Sequence, residues 1–448
     1  MWHRERDRFA ARYPASAALA DESRPHYLFG VPMHWMRDWP TPGPLAVRSA
    51  LGHRLVTADG HELIDFCLGD SGAMFGHSPA PVAQAIAAQA AQGLTAMLPS
   101  MRTAAVGRRL AEVFGLPRWQ VALSATDANR FALRWARAVT GRPKVLVFDG
   151  CDHGTVDDTL VDMAADDRGD PGRRWRTVTR HSLLGQVHDL AAGTVIVPFN
   201  DAQALRDVLV TGEIACVLTE PALTNCGLVL PATGFLHDVQ QACRDTGTLL
   251  ILDETHTLSA GWGGCTRTMG LAPDLLVAGK AIAGGLPCAV YGFTAALGDR
   301  MEAAKRAAPD GHSGIGTTLS ASLLAMAALE ANLSAVMTPA TYADMLERAA
   351  QLESHLVAVI RRAGLPWCVT RLGARMELQF CAEPPRDAAA ARAAFDDELE
   401  RCLHLFQLNR GVLLTPFHDM LLVAPGVGER DIERVASNLE AFVTEVAA

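Results

Sequence analysis

Two neighbouring stretches of the chain decide the fold: LLILDETHTLSAGWGG at residues 249–264 and APDLLVAGKAIAGGLP at residues 272–287. Each contains a short run that is apolar on both faces. Asp253 ends the first run, and Lys280 follows the second. Runs of this kind are typical of parallel strands that helices cover on both sides. The two stretches therefore predict an α/β fold in which a carboxylate and an amine lie at the carboxyl edge of a sheet, where ligands bind in such folds.

The same pattern extends over the middle of the chain. KVLVF (144–148), TVIVPF (194–199) and ACVLTE (215–220) are further short apolar runs, and amphipathic helices separate them. They predict a large domain at residues 76–330 with a mostly parallel central sheet.

The two ends of the chain predict a second, smaller domain of α+β type. Residues 52–67 alternate around an Asp-Gly turn, which predicts a hairpin. Residues 331–448 combine helices with the strand-like runs MELQF and GVLLTPF. We expect these C-terminal residues to pack with the N-terminal segment, residues 1–75.

Bulk properties exclude several classes of protein. The formal net charge is −9 with no basic stripe, which argues against a nucleic-acid partner. The ten cysteines are scattered without metal-ligand spacing, so reduced thiols and no metal site are expected. The first residues lack the apolar core of a signal peptide, and no apolar run reaches the ~18 residues that cross a membrane. A cytoplasmic protein without membrane contacts is the expectation.

An amine and a carboxylate on successive strand ends suit pyridoxal 5'-phosphate (PLP) chemistry. Lys280 can form a Schiff base with the cofactor aldehyde, and the glycines beside it allow close approach of a flat ligand. Asp253 can keep the pyridine nitrogen protonated, so that the ring accepts electrons from the substrate. A lysine released from the cofactor can then carry protons.

The cofactor phosphate needs a binding site of its own. In VALSATDANRFALRWARA (121–138), a strand is followed by a small polar turn and a helix that starts near Ala125 and Thr126. The N–H groups of a helix N-terminus bind anions. An ordinary helix cap would have the same sequence pattern, so both interpretations stay open here.

The whole set of motifs resembles class III (subgroup II) aminotransferases, particularly the glutamate-1-semialdehyde aminomutase-like branch. Six further segments match the family's motifs in the same order: GDSGAMFGH, LSATDAN, GCDHGT, EPALTNCGLVLPATGFL, TTLSASLLAMAA and RGVLLTPF. The resemblance implies PLP-dependent fold type I and a homodimer with shared active sites.

The resemblance also implies roles for individual positions. Lys280 forms the Schiff base and Asp253 binds the ring nitrogen. Ala125, Thr126 and the neighbouring subunit's Thr318 hold the phosphate. Thr255 lies against one face of the ring, and Glu220 lies near the ring hydroxyl. His153 lies in the loop over the other face.

Departures from the family pattern predict a divergent subfamily with an altered substrate pocket. Asp152 stands where the family has a stacking tyrosine, and Thr255 and His256 replace an apolar pair. Candidate substrate contacts are Asp152, His256, Arg24 and Arg375, the last as a possible partner for a carboxylate. A capping or core role for His256, and an ordinary surface ion pair for Arg375, remain alternatives.

Three functions follow from these residues. The leading hypothesis is a ping-pong aminotransferase that moves an amino group from an amino acid or amine to a keto acid through Lys280. The first alternative is a PLP-dependent aminomutase or racemase acting on an amino acid. The second is a catalytically impaired PLP-fold binding protein, which the missing tyrosine suggests.

Overall fold

The computed structural model describes residues 1–165 and 175–446. Its helices are α1 (Trp2–Arg12), α2 (Pro14–Ser23), α3 (Ala80–Ala90), α4 (Thr103–Phe114), α5 (Ala125–Thr140), α6 (Ala202–Leu209), α7 (Phe235–Thr246), α8 (Gly264–Thr268), α9 (Ala295–Ala307), α10 (Leu323–Ala331), α11 (Pro339–Ala363), α12 (Ala388–Ala394), α13 (Asp397–Leu408) and α14 (Glu429–Val446). Its strands are β1 (Val47–Leu51), β2 (Arg54–Thr57), β3 (Glu62–Asp65), β4 (Arg118–Ala122), β5 (Lys144–Phe148), β6 (Val161–Ala165), β7 (Trp175–Thr179), β8 (Thr194–Val197), β9 (Ile214–Thr219), β10 (Leu249–Asp253), β11 (Leu275–Ala278), β12 (Ala289–Phe293), β13 (Cys368–Leu372), β14 (Arg375–Gln379), β15 (Val412–Leu413) and β16 (Met420–Leu422).

A seven-stranded sheet forms the centre of the larger of two compact units, which comprises residues 81–338 and 385–392. The strand order is β4-β12-β11-β10-β9-β5-β8. Neighbours from β11 to β8 run parallel, which confirms the predicted mostly parallel sheet. Only β12 among these seven strands runs antiparallel to its neighbours. The link from β11 to β12 spans residues 279–288, and a parallel crossover needs about a dozen residues or more.

The strands of this sheet are buried because their residues are apolar on both faces. Every residue of β9, β10 and β11 is buried. Helix α5 begins at Ala125, as its sequence predicted. The Ser124 Oγ caps the helix by accepting a hydrogen bond from the Asp127 amide at 3.2 Å. The helix ends at Gly141, whose φ of 70° suits a left-handed cap.

The smaller unit comprises residues 1–80, 339–384 and 393–448. Strands β2 and β3 form the predicted hairpin, and the four-stranded sheet has the order β1-β2-β3-β15. Because β15 pairs in parallel with β3, the two ends of the chain share one sheet, and their predicted association is confirmed. A second sheet, β13-β14-β16, belongs to the same unit, whose core includes Leu352, Phe406 and Phe442.

No single helix in residues 1–165 and 175–446 has the length and apolarity of a membrane span; Leu323–Val336 and Pro339–Ala363 meet that test only when taken together, by length and composition.

Candidate active site

Three chemically active side chains lie at the carboxyl ends of neighbouring strands in the larger unit. Asp253 is the last residue of β10, Glu220 follows β9, and Lys280 follows β11 after one glycine. Because these strands are parallel, their carboxyl ends share one edge of the sheet. The sheet topology thus brings together the groups that the sequence placed at strand ends.

The carboxylate of Asp253 is almost completely buried and accepts three hydrogen bonds. Its Oδ2 accepts from the Asn129 side chain at 2.7 Å and lies 2.9 Å from the His153 Nδ1. Its Oδ1 accepts from the Thr255 amide at 3.1 Å. Burial alone raises the pKa of Asp253, but His153, Thr255 and Asn129 outweigh burial and hold that pKa below its usual value. Asp253 therefore carries a negative charge inside the protein.

His153 supports this charge through its side chain. Its side chain is fully buried, and its Nδ1 hydrogen-bonds to Asp253. Burial lowers the pKa of His153, but Cys151 and Asp253 raise it well above its usual value. The sequence assigned His153 only to its loop. The side chain turns toward Asp253, because a buried carboxylate requires donors.

Glu220 and Asp152 meet through the backbone of the loop after β5. The Asp152 amide donates to the Glu220 Oε1 at 3.2 Å, and the Thr224 hydroxyl also hydrogen-bonds to Glu220. Burial raises the pKa of Glu220 to about 7, although the charge of His153 opposes the shift. The Asp152 carboxylate is exposed and accepts from the Gly154 amide at 2.7 Å.

Lys280 adopts an unusual backbone conformation and contacts a histidine. Its φ of 47° lies in the left-handed region, which costs energy for a residue with a side chain. Its Nζ lies 2.8 Å from the Nε2 of His256, so His256 neither caps a helix with its ring nor packs as an isolated core residue. Lysine occurs at only two other positions in the chain, Lys144 and Lys305. Lys144 pairs with Glu213, and Lys305 is exposed.

The start of α5 lies directly against the strand end that carries Lys280. A Cβ atom added to Gly279 would lie 2.8 Å from the Ala125 Cβ and 3.2 Å from its amide nitrogen. The Thr126 Oγ1 accepts a hydrogen bond from the Thr155 amide at 3.2 Å. The structure therefore places Ala125, the first of the predicted phosphate residues, against Gly279, the neighbour of Lys280, and Thr126 against the loop that contains Thr155.

The remaining predicted contacts lie elsewhere. Thr318 is exposed in a loop of the larger unit. Arg24, in the smaller unit, is exposed and pairs with Asp21 at 3.2 Å. Arg375, also in the smaller unit, is fully buried and donates to the Glu377 Oε1 at 2.7 Å and 3.1 Å.

The environment of Arg375 corrects one of the two interpretations that its sequence allowed. The pair with Glu377 is buried, so it is not an ordinary surface ion pair. Glu377, on the same strand, balances the charge of Arg375. Sequence spacing could not show this, because an antiparallel strand has one packed face and one solvated face, and spacing alone does not say which face Arg375 occupies.

Asn129 is the site residue that the sequence did not single out. Its signal is a polar side chain among the buried apolar residues of α5, which include Ala128 and Phe131. Its amide donates to Asp253 and fixes that carboxylate from the side of the helix. In residues 1–165 and 175–446, no group of three or more His, Cys, Asp or Glu side chains is arranged to hold a metal ion.

The residues at this edge of the sheet fit PLP. Asp253 is ionised and, since a carboxylate has about four acceptor positions, retains one for a ring nitrogen. The Thr255 Oγ1 and the His153 Nε2 are buried polar atoms that have no hydrogen-bond partner within the described part of the chain. Lys280 would supply the amine, and the N-terminus of α5 would bind the phosphate.

The chain is similar to known proteins over nearly its whole length. The family model "Aminotransferase class-III" matches residues 36–426. A glutamate-1-semialdehyde 2,1-aminomutase of Sorangium cellulosum (strain So ce56) is 34% identical over 432 residues, which cover 95% of each chain. A solved structure of a glutamate-1-semialdehyde-aminomutase from Pseudomonas aeruginosa PAO1 is 44% identical with a TM-score of 0.95, covering 99% of this chain and 97% of that one. A lysine-to-alanine variant of the Pseudomonas protein in complex with PMP, also 44% identical with the same coverage, has a TM-score of 0.94.

Proposed function

The chain belongs to the class-III aminotransferase family, and from that premise we propose that it is a PLP-dependent aminomutase. In the proposed reaction an amino group and a carbonyl oxygen exchange places on neighbouring carbons of one substrate, and no second substrate is consumed. The observation that supports this choice is the similarity, over nearly the whole chain, to proteins named for that reaction. It replaces the aminotransferase that the sequence alone favoured.

Lys280 and Asp253 have the central roles. When bound, PLP supplies a carbon that accepts an amino group and a ring that withdraws electrons from the adjacent carbon. Lys280 anchors the cofactor through Nζ and, once released, takes a proton from a substrate carbon and returns one to its neighbour. Asp253 remains charged and holds the proton of the ring nitrogen, because His153 and Asn129 stabilise its carboxylate.

The remaining site residues bind and orient. The amides at the start of α5 and the Thr126 hydroxyl bind the phosphate, and the partial positive charge of the helix N-terminus favours that anion. Thr255 lies next to Asp253 and orients the ring through its hydroxyl. Glu220 is buried close enough to His153 for their charges to interact, and it borders the hydroxyl side of the ring.

We propose that the working form is a homodimer in which Thr318 of one copy completes the phosphate site of the other. Thr318 is exposed in a single chain, and so are large apolar residues of the same unit, among them Met97, Leu98 and Met101. Exposed apolar patches mark protein interfaces. Light scattering on the purified protein tests this, and a monomer at micromolar concentration contradicts it.

Glutamate 1-semialdehyde is the first substrate to test, since the relatives are named for it. Incubated alone with the cofactor-loaded enzyme, it should be converted over many turnovers to 5-amino-4-oxopentanoate, the isomer with the amino group and carbonyl exchanged. Lys280→Ala should lose this activity. An absolute requirement for an added keto acid or amino donor would contradict the aminomutase.

Transfer between two substrates is the second candidate, because the matching family model describes aminotransferases. In that case an amino acid or amine would convert the bound cofactor to its amino form in one stoichiometric step, and a keto acid would reverse it. The absorbance of the cofactor follows both steps. A change that an amino donor produces and a keto acid reverses would identify transfer between two substrates.

A further inference from the structure

A histidine lies against the reactive nitrogen of the proposed cofactor-binding lysine. The His256 Nε2 and the Lys280 Nζ are 2.8 Å apart, a hydrogen-bonding distance. His256 is 7% exposed and lies in the turn after β10. Lys280 lies in the turn after β11, the parallel neighbour of β10. Adjacent strands thus hold both nitrogens at one edge of the sheet.

Two basic nitrogens at this distance share one proton. An ammonium group only donates, so a protonated Lys280 requires a neutral imidazole that accepts through Nε2. A neutral Lys280 amine can accept from an imidazole that carries its proton on Nε2. A shift of the proton from the Lys280 ammonium along the hydrogen bond leaves a neutral amine and a positively charged imidazolium, and the reverse shift restores the ammonium and the neutral imidazole.

The surroundings fix both partners of this pair. The backbone of Lys280 has a φ of 47°, which fixes the direction in which its side chain leaves the backbone. The His256 carbonyl accepts from the Ser259 hydroxyl at 3.0 Å and from the Ser259 amide at 3.4 Å, which anchors the turn. The other buried histidine of the site, His153, is committed to Asp253.

We propose that His256 is a positioning residue that holds the Lys280 nitrogen and exchanges one proton with it. The proton leaves Nζ for Nε2 while the electron pair stays on Nζ, and the amine becomes able to attack the cofactor aldehyde. The reverse shift restores the ammonium form when Lys280 must deliver a proton. No oxidant or reductant takes part. This inference rests on the proposed role of Lys280 as the cofactor anchor.

The test measures how fast the covalent link between Lys280 and PLP forms. PLP is added to cofactor-free full-length protein at pH 7, and the absorbance of the link is followed in wild type, His256→Gln and His256→Ala. Glutamine can hydrogen-bond to an amine but cannot exchange a proton with it. His237→Gln, an exposed histidine of α7, is the matched control.

Both His256 variants should form the link at least about tenfold more slowly, since proton transfer by a positioned side chain contributes roughly 10²–10⁴-fold. Added imidazole should restore the rate of His256→Ala in proportion to its concentration, and His237→Gln should match wild type. If His256→Ala does not fold, as circular dichroism would show, the glutamine variant decides alone.

Two results would overturn the inference without affecting the proposed role of Lys280. One is that both variants form the link within twofold of the wild-type rate. The other is that His256→Ala forms the link slowly and that imidazole does not accelerate it. The second result would assign His256 a purely structural role. A wild-type protein that never forms the link would instead remove the proposed function itself and this inference with it.

Discussion

Glu220 and Asp253 belong to neighbouring strand ends and are both buried, yet their pKa values shift in opposite directions. Asp253 receives hydrogen bonds from Asn129 and Thr255 and the charge of His153, so its pKa falls. Glu220 has weaker support, and burial raises its pKa to about 7. Two carboxyl groups of the same site therefore ionise in different pH ranges, an arrangement that active sites use to separate the roles of acids.

Glu220→Gln should stabilise the protein at high pH. An unfolded glutamate ionises near pH 4.5, whereas folded Glu220 ionises near 7, so folding stability falls as pH rises between these values. At about 1.36 kcal/mol per pH unit, the gain of the variant over wild type should grow by roughly 2 kcal/mol between pH 5 and pH 8. Denaturant unfolding of the cofactor-free protein measures it. The exposed Glu213→Gln should show no such growth, and a Glu220→Gln gain independent of pH would contradict the assigned pKa.

Single residues divide into those that the sequence could place and those that it could not. Lys280 and Asp253 were predictable because an apolar strand fixes where its last residue lies. The partner of His153 was not predictable, since it depends on how the loop after β5 folds over β10. The contact between His256 and Lys280 likewise needs the spacing of two strands in three dimensions.

At the scale of elements, the distance between α5 and β11 sets the geometry of the cofactor site. Gly279 allows the two elements to approach, because any side chain there would meet Ala125. The sequence motif contained this glycine and the helix start, but the closeness of the two appears only in the folded sheet.

Gly279→Ala should weaken cofactor binding at least about tenfold, which corresponds to ~1.4 kcal/mol. The added Cβ must displace the N-terminus of α5, an overpacking that typically costs about 1–3 kcal/mol of stability. Spectrophotometric titration with PLP and thermal unfolding measure both effects. Gly107→Ala, in the open interior of α4, is the control and should stabilise by up to about 1 kcal/mol. Equal cofactor affinity in Gly279→Ala and wild type would contradict the assigned phosphate site.

Strand β14 provides a second test at this scale. Arg375→Ala leaves the Glu377 carboxylate buried without its arginine, which should lower the free energy of unfolding by about 3–5 kcal/mol. Arg371→Ala, on the adjacent strand β13, breaks a half-buried pair with Glu353 and should cost less than about 1 kcal/mol. Chemical denaturation compares them. An Arg375→Ala protein with wild-type stability and a raised KM would instead assign Arg375 to the substrate.

At the scale of the whole molecule, the sequence predicted the α/β class and the smaller α+β part built from both chain ends. Apolar strands and amphipathic helices alternate strongly enough to define a parallel sheet, and β15 joins β3 as the association of the ends required. The reversed direction of β12 was not predictable from its apolar residues, which are the same in either direction. It follows instead from the short connection after Lys280.

The central claim is that Lys280 holds the cofactor, and the composition of the chain makes this directly measurable. The PLP-loaded protein is reduced with borohydride, digested, and mapped by mass spectrometry over its three lysines, Lys144, Lys280 and Lys305. The account predicts one phosphopyridoxyl group per chain, on Lys280, and none in Lys280→Ala. A label on Lys144 or Lys305, or no label after reduction, would contradict it.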